Sequence, residues 1–296
     1  MNEYEIINTI KSRTGSEFIG DDCAYLKEFG IVISQDSLIE NIHFKTEWMT
    51  PYQLGYKAVS VNISDILASG GKPEYITIAL SLPKAISNNF VEEFYLGAES
   101  ALNGAKIAGG DITGSKNDIM VSITAIGSTT GRNISSRSHA KAGYSVITKG
   151  DFGSAAAGLY ELLNYGTNEE LINAHLMPHL EYEFAESIAK TVKEEYAMMD
   201  TSDGLADALF KIAEASNVKI SVEYDKIPHL PVVTKEQVLF GGEDYKLIAA
   251  IPDKYIDSIP GAVLIGHVCP FDGIRIDISG ERFSKYEELN LYNHFE

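Results

Sequence analysis

The sequence predicts an α+β protein made of two halves of similar size that share one cleft. Three observations lead to that expectation. Strand-like and helix-like segments occur in mixed order on both sides of a polar stretch at 128–143 rich in Ser, Gly, Thr and Arg. Both halves carry aspartates in short runs flanked by glycine or serine. The 296 residues suffice for two ordinary domains. The division is placed at residue 135, giving domains over 1–135 and 136–296.

Elements follow from apolar spacing. Residues 4–12 read as a short helix, with Ile6, Ile7 and Ile10 on one face. Residues 31–35 form a buried strand running into Asp36. From Pro51 to Ser69 the spacing is helical, with Leu54, Ala58, Val61 and Ile66 facing inward and Gly70-Gly71 as the stop. Residues 75–82 are a strand, and Ser87 caps a long helix reaching Ala108. Gly109-Gly110 breaks that helix and presents Asp111 in a loop. Strand 119–127 completes the first half. The second half reads as strand 144–149, helices 154–164 and 180–196, a loop with Asp200 and Asp203, and helix 204–215. Strand 218–224, a short helix near 233–239 and strands 245–251 and 262–268 follow.

Composition removes several function classes. The net charge is −18, from 24 basic and 42 acidic side chains, so no basic stripe exists to displace counterions from nucleic acid. Cys23 and Cys269 form no CxxC pair, which argues against structural zinc or a disulfide framework. The first residues lack the basic and apolar regions of a signal peptide, and no apolar run approaches about 18 residues. A cytoplasmic protein that neither spans a membrane nor binds nucleic acid is the expectation.

The chemistry is read from seven aspartates: Asp21, Asp22, Asp36, Asp65, Asp111, Asp200 and Asp203. Carboxylates presented this way suit Mg²⁺, which takes oxygen ligands and bridges them to substrate phosphate. A negative cleft filled with divalent ions attracts phosphate because the ions invert the local field. Asp200-Thr-Ser-Asp203-Gly204-Leu is the strongest single run, since two acids three apart at a strand-to-helix turn make a compact oxygen cage. An ordinary capped helix start is its plain alternative. No phosphate-binding glycine loop accounts for a kinase. Gly109-Gly-Asp-Ile-Thr-Gly114-Ser115-Lys116 has the G-x₄-G spacing but inverts the Lys-Ser order and places an acid inside the loop. Gly241-Gly-Glu243-Asp-Tyr is a further acid pair, either a substrate contact or a turn. Arg132 and Arg137 are candidate phosphate contacts, because guanidinium binds phosphate bidentately. A histidine such as His43 is more often structural than functional.

Together these runs resemble the thiamine-monophosphate kinase family. Its superfamily includes aminoimidazole-ribonucleotide synthetase and selenophosphate synthetase. The resemblance rests, in chain order, on Ile19-Gly-Asp-Asp-Cys-Ala, Ser34-Gln-Asp-Ser-Leu-Ile-Glu-Asn-Ile-His-Phe44 and Tyr56-Lys-Ala-Val-Ser-Val-Asn-Ile-Ser-Asp-Ile-Leu-Ala-Ser-Gly70. It continues through Gly109-Gly-Asp-Ile-Thr, Ser136-Arg-Ser, Met199-Asp-Thr-Ser-Asp-Gly-Leu205, Gly241-Gly-Glu-Asp-Tyr and Tyr292-Asn-His-Phe. It implies an N-terminal sheet with helices, a C-terminal α/β sandwich, and a homodimer joined through the N-terminal domains. The N-terminal domain would bind ATP and magnesium and dimerise, and the C-terminal domain would complete the substrate cleft.

The implied reaction is ATP-dependent phosphorylation of thiamine monophosphate to thiamine diphosphate, assisted by several Mg²⁺ ions. The resemblance places Asp22, Ser34, Gln35, Asp36, Asp65, Asp111, Asp200 and Asp203 in the metal set, with Asp36, Asp65 and Asp203 closest to the chemistry. It places Gly110, Asp111, Arg137 and Ser202 at ATP, and His43, Glu243 and Tyr292 at thiamine monophosphate. Departures from the family pattern are Gln35 where threonine is usual, Ser69 for a common methionine, and an altered loop after Arg137. The alternatives are another ATP-dependent enzyme of the superfamily and a magnesium- or nucleotide-binding module without turnover.

Overall fold

The computed structural model describes residues 3–289 and Leu291. Its first half contains α1 (Glu3–Thr14), β1 (Ala24–Leu26), β2 (Ile31–Ile39), α2 (Pro51–Ala68), β3 (Lys72–Pro83), α3 (Asn88–Ala101), β4 (Lys106–Ser115) and β5 (Met120–Ser128). The strands form one sheet in the order β1-β2-β5-β3-β4. Only β3 and β4 pair in parallel, and α3 is the crossover that parallel pairing requires. Helix α2 covers one face of the sheet. It is buried nearly all round, with Lys57, Ser60, Asn62 and Ser64 enclosed beside its apolar residues. Thr50 and Gln53 close a capping box at its start, with Pro51 in the first turn.

The second half contains β6 (Tyr144–Thr148), α4 (Ser154–Leu163), α5 (Glu169–Leu176), α6 (Tyr182–Thr191), β7 (Ala197–Asp200), α7 (Leu205–Ala215) and β8 (Val218–Val222). It continues with α8 (Lys235–Phe240), β9 (Leu247–Pro252), β10 (Val263–Pro270), β11 (Ile276–Ile278) and β12 (Glu281–Phe283). These seven strands order as β12-β11-β8-β10-β6-β9-β7. The sheet is buried on both faces. Leu247, Ala249 and Ile251 of β9 enter one core, while Ile248 and Ala250 enter another. The first core is continuous with that of the N-terminal half, joining Ile63, Ile66 and Phe94 to Phe184, Tyr196 and Met198. The halves are therefore packed on shared apolar surface. Among the described residues, no helix is long and apolar enough to cross a membrane.

Several expected elements differ. Helix α3 stops at Ala101 rather than reaching Ala108, because Asn103 (φ +44°) and Gly104 (φ +92°) make a left-handed turn after it. Gly109, Gly110 and Asp111 lie inside the exposed edge strand β4, not in a loop. Strand β2 continues through Asp36 to Ile39, so Asp36 is a strand residue rather than a turn residue. The expected helix 180–196 ends at Thr191, and β7 follows it. The unexpected α5 is capped by Asn168, whose side chain accepts the Leu171 N–H.

Candidate active site

The site forms where β2, α2, β7 and the loop after Gly20 converge. Asp22, Asp65 and Asp200 each bring a carboxylate oxygen within 4.8 Å of the others. Asp22 comes from the first loop, Asp65 from the last turns of α2, and Asp200 from the end of β7. Asp36 completes the group: its backbone N–H donates to Asn62 Oδ1 of α2 at 2.9 Å. Ser34 lies two residues earlier on the same face of β2, and its hydroxyl donates to the Asn62 carbonyl at 3.2 Å. The Ser64 hydroxyl donates to Asp200 Oδ2, so α2 holds both neighbouring strands.

The electrostatics of this group fit an ion. Burial pushes the Asp65 carboxyl well up, and repulsion from Asp36, Asp200 and Asp22 adds to it. Burial and then Asp22 raise Asp200 to about 8. Carboxyl groups so placed repel one another when ionised, and an oxygen-only donor set favours a hard cation. Arg137 partly offsets the charge. Its guanidinium donates to Asp22 Oδ1 at 2.7 Å, and its backbone N–H donates to Asp21 Oδ1 at 2.7 Å. Burial opposes its charge, yet Asp22, Asp207 and Asp21 together outweigh burial and strengthen it.

Around this centre lie the other predicted residues. Asp203 sits in the turn between β7 and α7, paired with Lys211 at 3.2 Å. Ser202 precedes it, and its carbonyl accepts the Glu243 N–H at 2.7 Å. That bond ties the 241–245 loop to the turn that carries Asp200. Glu243 Oε2 lies 3.1 Å from Lys57 Nζ and 3.1 Å from His175 Nδ1. Burial raises the Glu243 carboxyl, but Lys57 and His175 outweigh it and hold it below the ordinary range. His175 is pushed down to about 4 by burial and by Lys57, and stays neutral near pH 7. His43 Nδ1 accepts the Ile39 N–H at 3.1 Å, which leaves the ring proton on Nε2. Asp244, the other acid of that loop, turns inward to accept the N–H groups of Gly153 and Ala155 at the start of α4.

Three predicted residues are not gathered here. Gln35 points to the opposite face of β2, hydrogen-bonded to Ser122 and Thr124. Asp111 is opposite Ala79 of β3, and its strand neighbours place it on that same outer face. Strand β4 is three strands from β2, roughly 14 Å at about 4.8 Å per strand. Gly110 lies on the same exposed strand. Tyr292 falls outside the described residues. The sequence reading missed Lys57, Asn62, Ser64 and Lys211. The helical offsets 57, 64 and 65 were the available signal for three of the relevant α2 positions.

Residues 20–129 match the family described as AIR synthase related protein, N-terminal domain. Thiamine-monophosphate kinase of Aquifex aeolicus is 33% identical, covering 94% of this chain and 94% of that protein. Thiamine-monophosphate kinase of Bacillus subtilis is 31% identical over the full length of both. A solved structure of AaThiL complexed with AMPPCP and TMP superposes with a TM-score of 0.88 at 31% identity, covering 99% of this chain and 97% of that one. The two mixed sheets are thus the aminoimidazole-ribonucleotide-synthetase-like arrangement expected from the sequence. Similarity of this extent, on a frame that gathers the acids of four separate sequence runs, means that the chain belongs to the thiamine-monophosphate kinase family.

Proposed function

We infer that the protein transfers the γ-phosphoryl group of ATP to thiamine monophosphate, giving thiamine diphosphate. The observation that carries this reading is the convergence of Asp22, Asp36, Asp65 and Asp200 in a chain similar over its whole length to a kinase bound to AMPPCP and TMP. Mg²⁺ bound by these acids would neutralise the phosphate charge and align donor with acceptor. Asp22, Ser34, Asp36, Asp65 and Asp200 would hold the ions, with Asp203 at the rim beside Lys211.

The acceptor is a phosphate already ionised at neutral pH, so no strong general base is needed. Arg137 and Ser202 lie beside the acids and suit contact with ATP. Glu243, with His43 presenting Nε2–H, suits the acceptor, and Tyr292 joins them by motif. The roles divide at residue 135: the first domain supplies Asp22, Ser34, Asp36 and Asp65 to the ions, and the second adds Asp200, Asp203 and the ATP contacts Arg137 and Ser202 and closes the cleft.

Gln35 and Asp111 fit a homodimer, because the outer sheet face that carries them is exposed, as is the β4 edge, where Ile112 is 62% exposed. A second copy laid over that face would cover them.

The test is incubation with ATP, MgCl₂ and thiamine monophosphate, with thiamine diphosphate measured by chromatography. Stoichiometric product and ADP are expected, and none without Mg²⁺. ADP release that ignores the acceptor would overturn the reading.

A further inference from the structure

Lys57 is a cation with no exposed surface, in the middle of α2. A buried ammonium is strongly disfavoured unless it is paired and hydrogen-bonded. Its Nζ donates to the His175 carbonyl at 2.9 Å and to Glu243 Oε2 at 3.1 Å. Both partners belong to the second half of the chain. Glu243 stands at φ +69° and Tyr245 at φ +51°, a left-handed region that such residues rarely use. Backbone of that kind persists only where its surroundings over-determine it. The ion pair with Lys57 and the bond to the Ser202 carbonyl do so here, while the Glu243 side chain keeps 26% of its surface open to solvent.

The same helix makes a second grip on the second half. Ser64 follows Lys57 by seven residues, two turns along one face, and its hydroxyl holds Asp200. At 1.5 Å per residue the two grips stand about 10 Å apart along a rigid rod. One grip lies on the acid cluster and the other on the loop acid facing the cleft. We propose that Lys57 is a positioning residue that anchors Glu243 to α2, so that the acceptor and the metal-binding acids are held at one fixed separation. The proposal rests on the reading of Glu243 as an acceptor contact. A purely structural Lys57 would serve only to neutralise a buried carboxylate, and its loss would lower stability without discriminating between substrates.

Steady-state kinetics distinguish the two. KM for thiamine monophosphate and for ATP is measured in the wild type, K57M, K57R, E243Q and K57M/E243Q. In K57M the acceptor KM is expected to rise about tenfold, with the ATP KM within about twofold, because, of the two partners of Lys57, it is Glu243 that faces the acceptor. K57R keeps the charge but displaces Glu243, and its acceptor KM rises as well. K57M/E243Q is expected to match E243Q within about twofold, since the two residues act as one unit. That comparison holds even if K57M, with an uncompensated carboxylate, fails to fold. An unchanged acceptor KM in K57M or K57R overturns the proposal. So does an equal rise for both substrates, or a double variant far worse than E243Q. A wild-type protein that makes no thiamine diphosphate removes the proposed function itself, and this proposal falls with it.

Discussion

Asp65 and Asp200 are held in a state that folding alone does not favour. Buried beside Asp36 and Asp22, both acids bind protons more tightly than an isolated carboxyl, and Asp200 reaches about 8. Replacing Asp65 by asparagine removes one of these charges without changing shape. Asp65→Asn is therefore expected to raise the melting temperature of metal-free protein and to lower kcat at least about 100-fold. Calorimetry in EDTA paired with the kinase assay checks this, and a destabilised apo variant would show that the acids do not repel. Asp203 is less buried and already paired with Lys211. Asp203→Asn should leave the melting temperature within about 2 °C and still cut kcat strongly, because what it loses lies in the loaded site. Turnover near the wild-type rate would remove Asp203 from the site.

Helix α2 carries Lys57, Asn62, Ser64 and Asp65, so its position decides the site. It lies unusually close to α3. A Cβ on Gly55 would meet the Phe94 carbonyl oxygen at 1.9 Å, and one on Gly97 would meet the Tyr52 carbonyl oxygen at 1.8 Å. Both contacts are backbone, which cannot swing aside. Gly97→Ala should therefore destabilise by about 1–3 kcal/mol, seen as a lower urea midpoint at unchanged m-value. The helix was legible because its apolar spacing, Pro51 start and Gly70-Gly71 stop agree, and it spans Pro51–Ala68 against an expected 51–69. The α3–β4 segment was misread for an equally physical reason. Asn103-Gly104 is a turn signal, but the glycine pair at 109–110 looked like the stronger break. Strand β4 lies at an edge and is exposed along most of its length, so its sequence lacks the apolar alternation that marks a half-buried strand.

Across the whole molecule, the acid cluster sits on a seam. Asp22, Asp36 and Asp65 belong to the first half and Asp200 to the second, with Arg137 bridging to Asp22. Stability should consequently depend on pH and on Mg²⁺ together. A folded-state value near 8 for Asp200, against an ordinary 3.8, means the folded protein binds the extra proton between those limits. The stability it contributes is present at low pH and lost as pH rises through 8. His175, depressed to about 4, acts in the opposite sense only below its ordinary 6.5. The clean window is therefore pH 6.5 to 8. Metal-free protein should melt at lower temperature at the upper end, and the rise produced by MgCl₂ should be larger at pH 8 than at 6.5. A Mg²⁺ shift independent of pH would disconnect the cluster from the metal. Sedimentation velocity tests the pairing of two copies: a dimer is expected, and Ile112→Glu on the exposed β4 edge should shift it toward monomer.

The sequence by itself determined the α+β architecture, the family and the runs that carry the acids. Short-range signals suffice for these: periodic burial within each element, and glycine or serine beside each carboxylate. Only the tertiary structure decided which acids meet. Residues 22, 36, 65 and 200 are far apart along the chain and are joined by packing of α2 between two sheets, information no local window contains. The same packing turned Gln35 and Asp111 to the outer face, since a strand's alternation fixes sides only once it is known which face is covered. It also placed Lys57, a residue plain in its own helix, against Glu243 across 186 positions of sequence.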